Sequence, residues 1–482
     1  MEYREVITGE SYFSWDIYIL VEEYNSSFQL LTSRKLPVEL FRWGGFFAGS
    51  KYNFLVFGQN NLKESDSEEV FRIVKYSKDW QRLGSASIYG ADTRDAFVHG
   101  GLDCAESGNE LYIHTCHTMY KSSDGRNHQS NFGFVVNQED MSCKPLRVNY
   151  VSHSFDQYIL VDQAKNIVQV DLGDGHPRAV TLSKWTNRAN PDPAKRGRER
   201  VTATIEAIPG AVGDNNTGIH IGGLTETNGS YVTVYSRGSQ KTEKCFSGPS
   251  DVILAFTDKN TLTTKQVNLG RLCMDYWSYL GAPRLVPTSL SGGYVVWGEI
   301  SSAEGSGTMY YASYSENGTV SAAKTAKGMA SDCEPIVHNG KVVWYVTQES
   351  IPTFYILDAS GVKAVQATAA PGATAYPRVE RSSVPEPSTP PNSYTTEGSA
   401  TPATPTMSSV NKPAYPELRC AGCNYLMFKK GDRRNGDLNN GGASGGFFYY
   451  CANCNAYAFC QQCASKPGTE AIYLRHENAC KG

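Results

Sequence analysis

The chain has 482 residues, 40% hydrophobic and 19% charged, a length and balance that suit two or more soluble domains. A formal net charge of −3 and a pI near 6.3 provide no general attraction to nucleic acid or to a membrane surface. The opening MEYREVITGESYFSWDIYILVEEYN has glutamates where a signal peptide needs a basic end, and no apolar run is long enough to span a bilayer.

From residue 1 to 368 the segments are short, aromatic and β-branched, alternate in polarity, and are punctuated by Gly, Asn and Asp turns. NFLVFGQNN is followed by VFRIVKYSKDWQRLGSASI, GYVVWGEISS by TMYYASYSENGTVSAA, and KVVWYVTQES by TFYILDASGVKAV. The repeated unit is a strand, a loop, a second strand, a polar turn and a third strand. A sheet this small cannot bury both faces alone, and packing several radially around an axis solves the problem. The expected fold is therefore all-β, a β-propeller of about six blades with seven as the alternative count. Blades are expected near residues 40–90, 95–148, 149–182, 205–268, 282–326 and 331–368. The strand-like IYILVEEY and SFQLLTS of the first forty residues are expected to complete the last blade and leave no sheet edge open. A pair of sandwiches or a solenoid is the competing architecture.

Within the second of these units, NELYIHTCHTMYKSSDGRNHQSNFGFVV places His114, Cys116, His117 and His128 close in sequence. Asp124-Gly125 between two strand-like runs signals a two-residue hairpin turn, which sets Lys121 opposite His128 and His117 opposite Phe132. His117 and His128 then share a face about 13 Å apart, too far for one metal, so these groups are read as satisfying blade hydrogen bonds. Asp92, Asp95, Asp103 and Glu106 flank Arg94 and His99 at a blade junction, where an acid/base pair or a solvated loop would fit. A channel site could also draw on His99, His128, His153, His220 or His338. No Gly-rich phosphate loop, nucleophile elbow or H-E-x-x-H run is present. Further on, WTNRANPDPAKRGRERV carries Arg188, Lys195, Arg196, Arg198 and Arg200 on a long loop without interleaved aromatics, which reads as solvated and makes no case for nucleic acid.

Residues 369–416 turn to Pro, Ser, Thr and Ala with almost nothing large and apolar to bury, the composition of a disordered linker. Residues 417–482 then carry Cys420-x2-Cys423, Cys451-x2-Cys454, Cys460-x2-Cys463 and His476-x3-Cys480, eight ligands for two tetrahedral zinc ions. Bonding within each C-x2-C pair would close a very tight ring, so the spacing suits a metal better than disulfides. The other six cysteines are scattered without a framework, as expected of reduced thiols in a cytoplasmic setting; a trimmed leader would make the chain extracellular.

The run FYYCANCNAYAFCQQCASK resembles the second half of a ZZ-type zinc finger. The resemblance implies a cross-brace, with Cys420, Cys423, Cys460 and Cys463 on one ion and Cys451, Cys454, His476 and Cys480 on the other, and peptide or protein binding without catalysis. The chain departs from that family in a long insert between Asn424 and Tyr450 and in a His476-x3-Cys480 ending where two histidines are usual. RING spacing and the basic FYVE motif are absent. These features together predict an interaction or adaptor protein rather than an enzyme: a propeller platform for a protein or peptide ligand, tethered to a zinc-binding finger. A propeller-channel hydrolase, lyase or sulfotransferase with the finger as targeting module, and ubiquitin-pathway recruitment through the finger, are the alternatives.

Overall fold

The computed structural model describes residues 2–7, 15–186, 199–238, 249–273, 278–280, 282–301, 307–331, 333–348 and 351–374 of the body and four short strands of the tail. The chain divides into two compact units, Met1–Glu386 and Pro387–Gly482. Among the described residues there is no helix, and hence none long and apolar enough to cross a membrane.

The first unit is a seven-bladed β-propeller, each blade a small sheet and all but the first purely antiparallel, with strands running from the axis to the rim. The second blade runs Arg42–Ala48, Asn53–Gly58, Glu69–Tyr76, Arg82–Tyr89. In the third, Thr93–Ala96 and Asp103–Ser107 share the inner position along Glu110–Lys121, followed by Asn127–Asn137 and Cys143–Pro145. The fourth comprises Ser154–Val161, Ile167–Gly173, Ala179–Thr186 and Glu199–Ala207; the fifth Ile219–Glu226, Ser230–Gly238, Pro249–Asp258 and Thr264–Cys273. The sixth is led by Arg284–Ser289, with Gly292–Ser301, Thr308–Ser315 and Lys324–Lys327 outside it. The seventh holds Ile336–His338, Lys341–Gln348, Ile351–Asp358 and Gly361–Gln366.

The count is seven rather than six because the first forty residues build a blade of their own instead of completing the last one. Glu2–Ile7, Trp15–Tyr24 and Gln29–Pro37 pair in order, and Thr368–Thr374, at the expected start of the linker, adds the fourth strand. That strand pairs in parallel, Gln29 with Thr368 and Leu30 with Ala369, because it arrives from the rim of the seventh blade. The ring is also sealed by side chains: Phe354 of the seventh blade packs against Tyr24 and Phe28 of the first, at ring-centre distances of 4.9 and 4.8 Å.

Each middle strand is apolar on both faces because each face meets another blade. All six residues of Asn53–Gly58 are buried: Leu55 and Phe57 join Ile19, Val21 and Leu36 of the first blade, while Phe54 and Val56 join Leu111, Ile113 and Phe134 of the third. The fourth and fifth blades share a cluster of thirteen buried apolar residues, the third and fourth only four. Deleting a blade would leave two such faces wet, at about 25 cal/mol for each Å² of apolar surface exposed.

From the third blade to the seventh, the first strands of successive blades touch one another and so line the axis. The fifth blade comes close to the sixth at Gly222. A Cβ on Gly222 would lie 1.3 Å from the carbonyl oxygen of Pro283, so only hydrogen fits there, whereas a Cβ on Gly229 would meet nothing within 4 Å. Gly222→Ala is expected to destabilise the chain by about 3 kcal/mol or more, and Gly229→Ala by well under about 1 kcal/mol. Equal denaturation midpoints for the two variants would refute the close approach.

The tail's described strands form two antiparallel hairpins, Leu418–Arg419 with Leu426–Phe428 and Phe447–Tyr450 with Ala458–Cys460. The expected zinc ligands Cys420, Cys423, Cys451, Cys454, Cys463, His476 and Cys480 lie outside the described residues, as do the side chain of Cys460 and residues 375–416 of the expected linker.

Candidate axial channel site

Because every blade starts at the axis and runs in the same sense, the first residues of the inner strands gather at one mouth of the channel. Asp103 opens the inner strand of the third blade, Asp156 is third in that of the fourth, His220 second in that of the fifth, and Arg284 first in that of the sixth. Glu334 stands two residues before the seventh. Arg42 holds the equivalent place in the second blade but turns to Asn60 and Asp95.

Two of these carboxylates stitch neighbouring blades. Asp103 Oδ2 accepts the N–H of Ile159 at 2.8 Å, and Asp156 Oδ2 accepts that of Ile221 at 2.9 Å. Asp103 Oδ1 also accepts the N–H of Cys104 at 2.7 Å. One rung inward, Tyr158 donates to the carbonyl of Ile221 at 3.2 Å and receives an N–H of Arg284 at 3.5 Å.

Both aspartates are half-buried. Burial pushes the Asp103 carboxyl well above its ordinary value, the charge of Glu334 adds to the rise, and the two N–H donors oppose it. Burial raises Asp156 as well, against the Ile221 N–H and the positive charge of His220 and Arg284. The Tyr158 hydroxyl is likewise raised by burial. The ring therefore combines a carboxyl raised by burial, a second carboxyl near a guanidinium, and a third acidic side chain, Glu334, exposed at the mouth. Such a set can deliver one proton and accept another.

The histidines proposed from sequence do not converge. His220 alone reaches the ring. His99 is exposed beside the third blade, His128 pairs with Asp124 at 2.8 Å at a hairpin tip, His153 contacts Asn215 at 3.1 Å, and His338 contacts Asn339 at 3.1 Å. Of the carboxylates grouped with Arg94 and His99, only Asp103 faces the axis. Asp95 pairs with Arg94 at 2.5 Å, Glu106 accepts from Ser50 at 2.6 Å, and Asp92 accepts the N–H of Tyr120 at 3.1 Å. Asp156, Arg284, Tyr158 and Glu334 went unrecognised, since only the ring closure brings them together. Arg188, Lys195, Arg196 and Arg198 of the basic loop lie outside the described residues, while Arg200 covers the ring of Trp185. Among the described residues no group of three or more His, Cys, Asp or Glu could hold a metal ion.

The hairpin register also differs from expectation. His117 lies opposite Ser130 and Lys121 opposite Asn127, because an irregularity between Thr118 and Lys121 shifts the pairing. His117 is buried, stacked on Phe132 at 4.6 Å and bonded through Nδ1 to Thr93 Oγ1 at 2.7 Å.

No family model matches the chain, the ZZ-type finger included, and no curated protein does. Solved structures of similar shape exist at low identity. A GH43 protein from Bacillus licheniformis is 12% identical, covering 61% of this chain and 57% of that one, with a TM-score of 0.33. An endo-arabinase from Bacteroides thetaiotaomicron is 13% identical over 70% of this chain and 96% of that one, TM-score 0.31. The fucose-specific lectin from Aleuria aurantia is 12% identical over 68% and 95%, TM-score 0.34. Enzymes outnumber the lectin among such structures, which include a puromycin hydrolase and a sialidase. The preference for a non-enzyme is corrected to this extent: the solved structures of similar shape are mostly enzymes. At these TM-scores no activity or substrate passes from those proteins to this chain.

Burial lowers the His117 pKa to about 4. Between its unfolded value of about 6.5 and about 4, the unfolded chain binds a proton that the folded chain refuses, so stability falls as pH drops, by at most about 1.4 kcal/mol per pH unit. Denaturant unfolding at pH 7 and pH 5 should show a smaller pH-dependent loss in His117→Gln than in the parent chain. Equal losses would mean that the imidazole is not the source.

Proposed function

We propose that the channel ring is a hydrolytic acid–base site and that the chain is a propeller hydrolase acting on a glycosidic bond. The observation that carries this reading is the meeting of carboxylates from three blades at one mouth of the axis, two of them with raised pKa. Asp103, raised further by burial and by the charge of Glu334, serves as the general acid and protonates the departing glycosidic oxygen. Asp156, raised less far because Arg284, His220 and the Ile221 N–H oppose its burial, takes a proton from the attacking water. The water oxygen bonds to the sugar carbon as the old carbon–oxygen bond breaks, and one proton moves at each side. Arg284 and Tyr158 are placed to orient sugar hydroxyls. Assaying the full chain against a panel of aryl glycosides and oligosaccharides should reveal hydrolysis, and Asp103→Asn and Asp156→Asn should each lower kcat/KM by about 10²–10⁴-fold with the circular dichroism unchanged. No cleavage of any member, or full activity in both variants, would end this reading.

A ligand-binding platform is the second reading, favoured by the bonds of Asp103 and Asp156 to the next blade's backbone, which are stitching bonds in their own right. The end face would then take a protein or peptide.

In both readings the tail serves as a zinc-binding module that targets the propeller. Each of its two described hairpins is joined by a segment holding one C-x2-C pair, Cys420 with Cys423 and Cys451 with Cys454, the arrangement of a zinc knuckle. Cys460, Cys463, His476 and Cys480 would complete two sites. Elemental analysis of the full chain should find two zinc ions, and none in a chain ending at Thr374. Zinc in the shorter chain, or its absence from the longer one, would overturn the assignment.

A further inference from the structure

The seam between the third and fourth blades differs from the others in what it buries. On the fourth blade Gln169 lies opposite Ser183 and Asp171 opposite Thr181 on neighbouring strands, so the four side chains form one patch. None is more than 4% exposed. From the third blade, His114 brings Nε2 to within 2.9 Å of Asp171 Oδ1, and Asn131 donates to the same oxygen at 3.1 Å. Ser154 Oγ donates to it at 3.3 Å, Gln157 Nε2 donates to Ser154 Oγ at 2.7 Å, and Gly101 N–H donates to Gln157 Oε1 at 2.8 Å. This chain of bonds reaches the channel wall, because Gln157 sits between Asp156 and Tyr158 and Gly101 two residues before Asp103.

Its outer end is incomplete. Asp171 Oδ2, Gln169 Nε2, Thr181 Oγ1, Ser183 Oγ and His114 Nδ1 are buried with no hydrogen-bond partner in the protein. An orphaned buried polar atom is costly, and native interiors answer the cost with ordered water where the walls are polar. The orphans also select among occupants. Gln169 Nε2 can only donate, since Trp185 Nε1 already donates to Gln169 Oε1 at 2.9 Å, and a carboxylate oxygen such as Asp171 Oδ2 can only accept. A metal ion would face the amide hydrogens and an anion would face the carboxylate. Water alone serves both, donating to one and accepting from the other.

We propose that this seam is a built hydration site, in which internal water bridges Asp171 Oδ2 to Gln169 Nε2 and to the hydroxyls of Thr181 and Ser183. The water extends the protein's own hydrogen-bonded chain from the outer half of the blades to the strands that carry Asp103 and Asp156.

The sign of a stability change separates a wet seam from a dry one. In a dry seam the Thr181 hydroxyl is an orphan and its removal in Thr181→Val relieves a penalty; in a hydrated seam the same change strips a water of a partner. The denaturation midpoint of the full chain is expected to fall in Thr181→Val and in Ser183→Ala. An unchanged or raised midpoint in both overturns the proposal. Crystallography of the full chain supplies a readout independent of the variants' folding. Water density within hydrogen-bond distance of both Asp171 Oδ2 and Gln169 Nε2 is the expected result, and an empty seam beside other visible internal waters is the contrary one.

Discussion

Two-faced burial is the constraint on which the rest of this structure depends. A four-stranded sheet with apolar residues on both sides has no stable existence alone, and a flat stack would only move the wet face to its ends. Closing the stack into a ring removes the ends. Asn53–Gly58 shows the requirement within one strand, Leu55 and Phe57 facing one neighbour and Phe54 and Val56 the other. The same closure makes Phe354 meet Tyr24 and Phe28, groups more than three hundred residues apart in the chain. It also aligns all inner strands in one sense. Gathering charges at one mouth of the axis is a geometric by-product of that alignment, which is why positions 103, 156, 220, 284 and 334 become neighbours.

Electrostatics at that mouth pull in opposite directions. Asp103 accepts two backbone N–H bonds, which favour its anion, yet burial and the charge of Glu334 outweigh them and its pKa rises. A carboxyl raised on folding takes a proton more readily in the folded chain, so its contribution to stability is lost as pH rises through the window from its unfolded value toward the raised one. Holding Asp103 there works against stability at neutral pH. Asp103 uses both of its oxygens to accept backbone N–H groups, an arrangement that Asn, with a single carbonyl oxygen, would reproduce at only one of them.

What was legible in the sequence follows from what is local. Strand triplets such as NFLVFGQNN with VFRIVKYSKDWQRLGSASI declare a blade, because alternation and turn residues are short-range properties. The second, third, sixth and seventh blades fall close to their expected ranges. The fourth was drawn too short, since Glu199–Ala207 follows a long basic loop that broke the visible repeat. The first blade was misplaced because its fourth strand, Thr368–Thr374, contains Pro371 and Gly372 and reads as linker. The register of His117 was missed by the irregularity between Thr118 and Lys121, which no residue pattern announces. The channel ring was illegible for a different reason: its members are single polar residues at the starts of apolar strands, meaningful only once the blades are laid over one another.

Seam composition ties the channel to the body of the ring. Most seams are closed by aromatic and aliphatic clusters, while the one between the third and fourth blades buries four apolar residues beside a network of His114, Asn131, Ser154, Gln157 and Asp171. Exchanging apolar contact for polar contact gives up non-directional attraction for bonds that fix distance and angle. Those directed bonds lie directly behind the two inner strands that carry Asp103 and Asp156, the pair whose separation any acid–base chemistry in the channel would depend on. A departure from the packing rule that governs the other seams therefore falls where strand position matters most, and local conflict with a global pattern is most informative at such places.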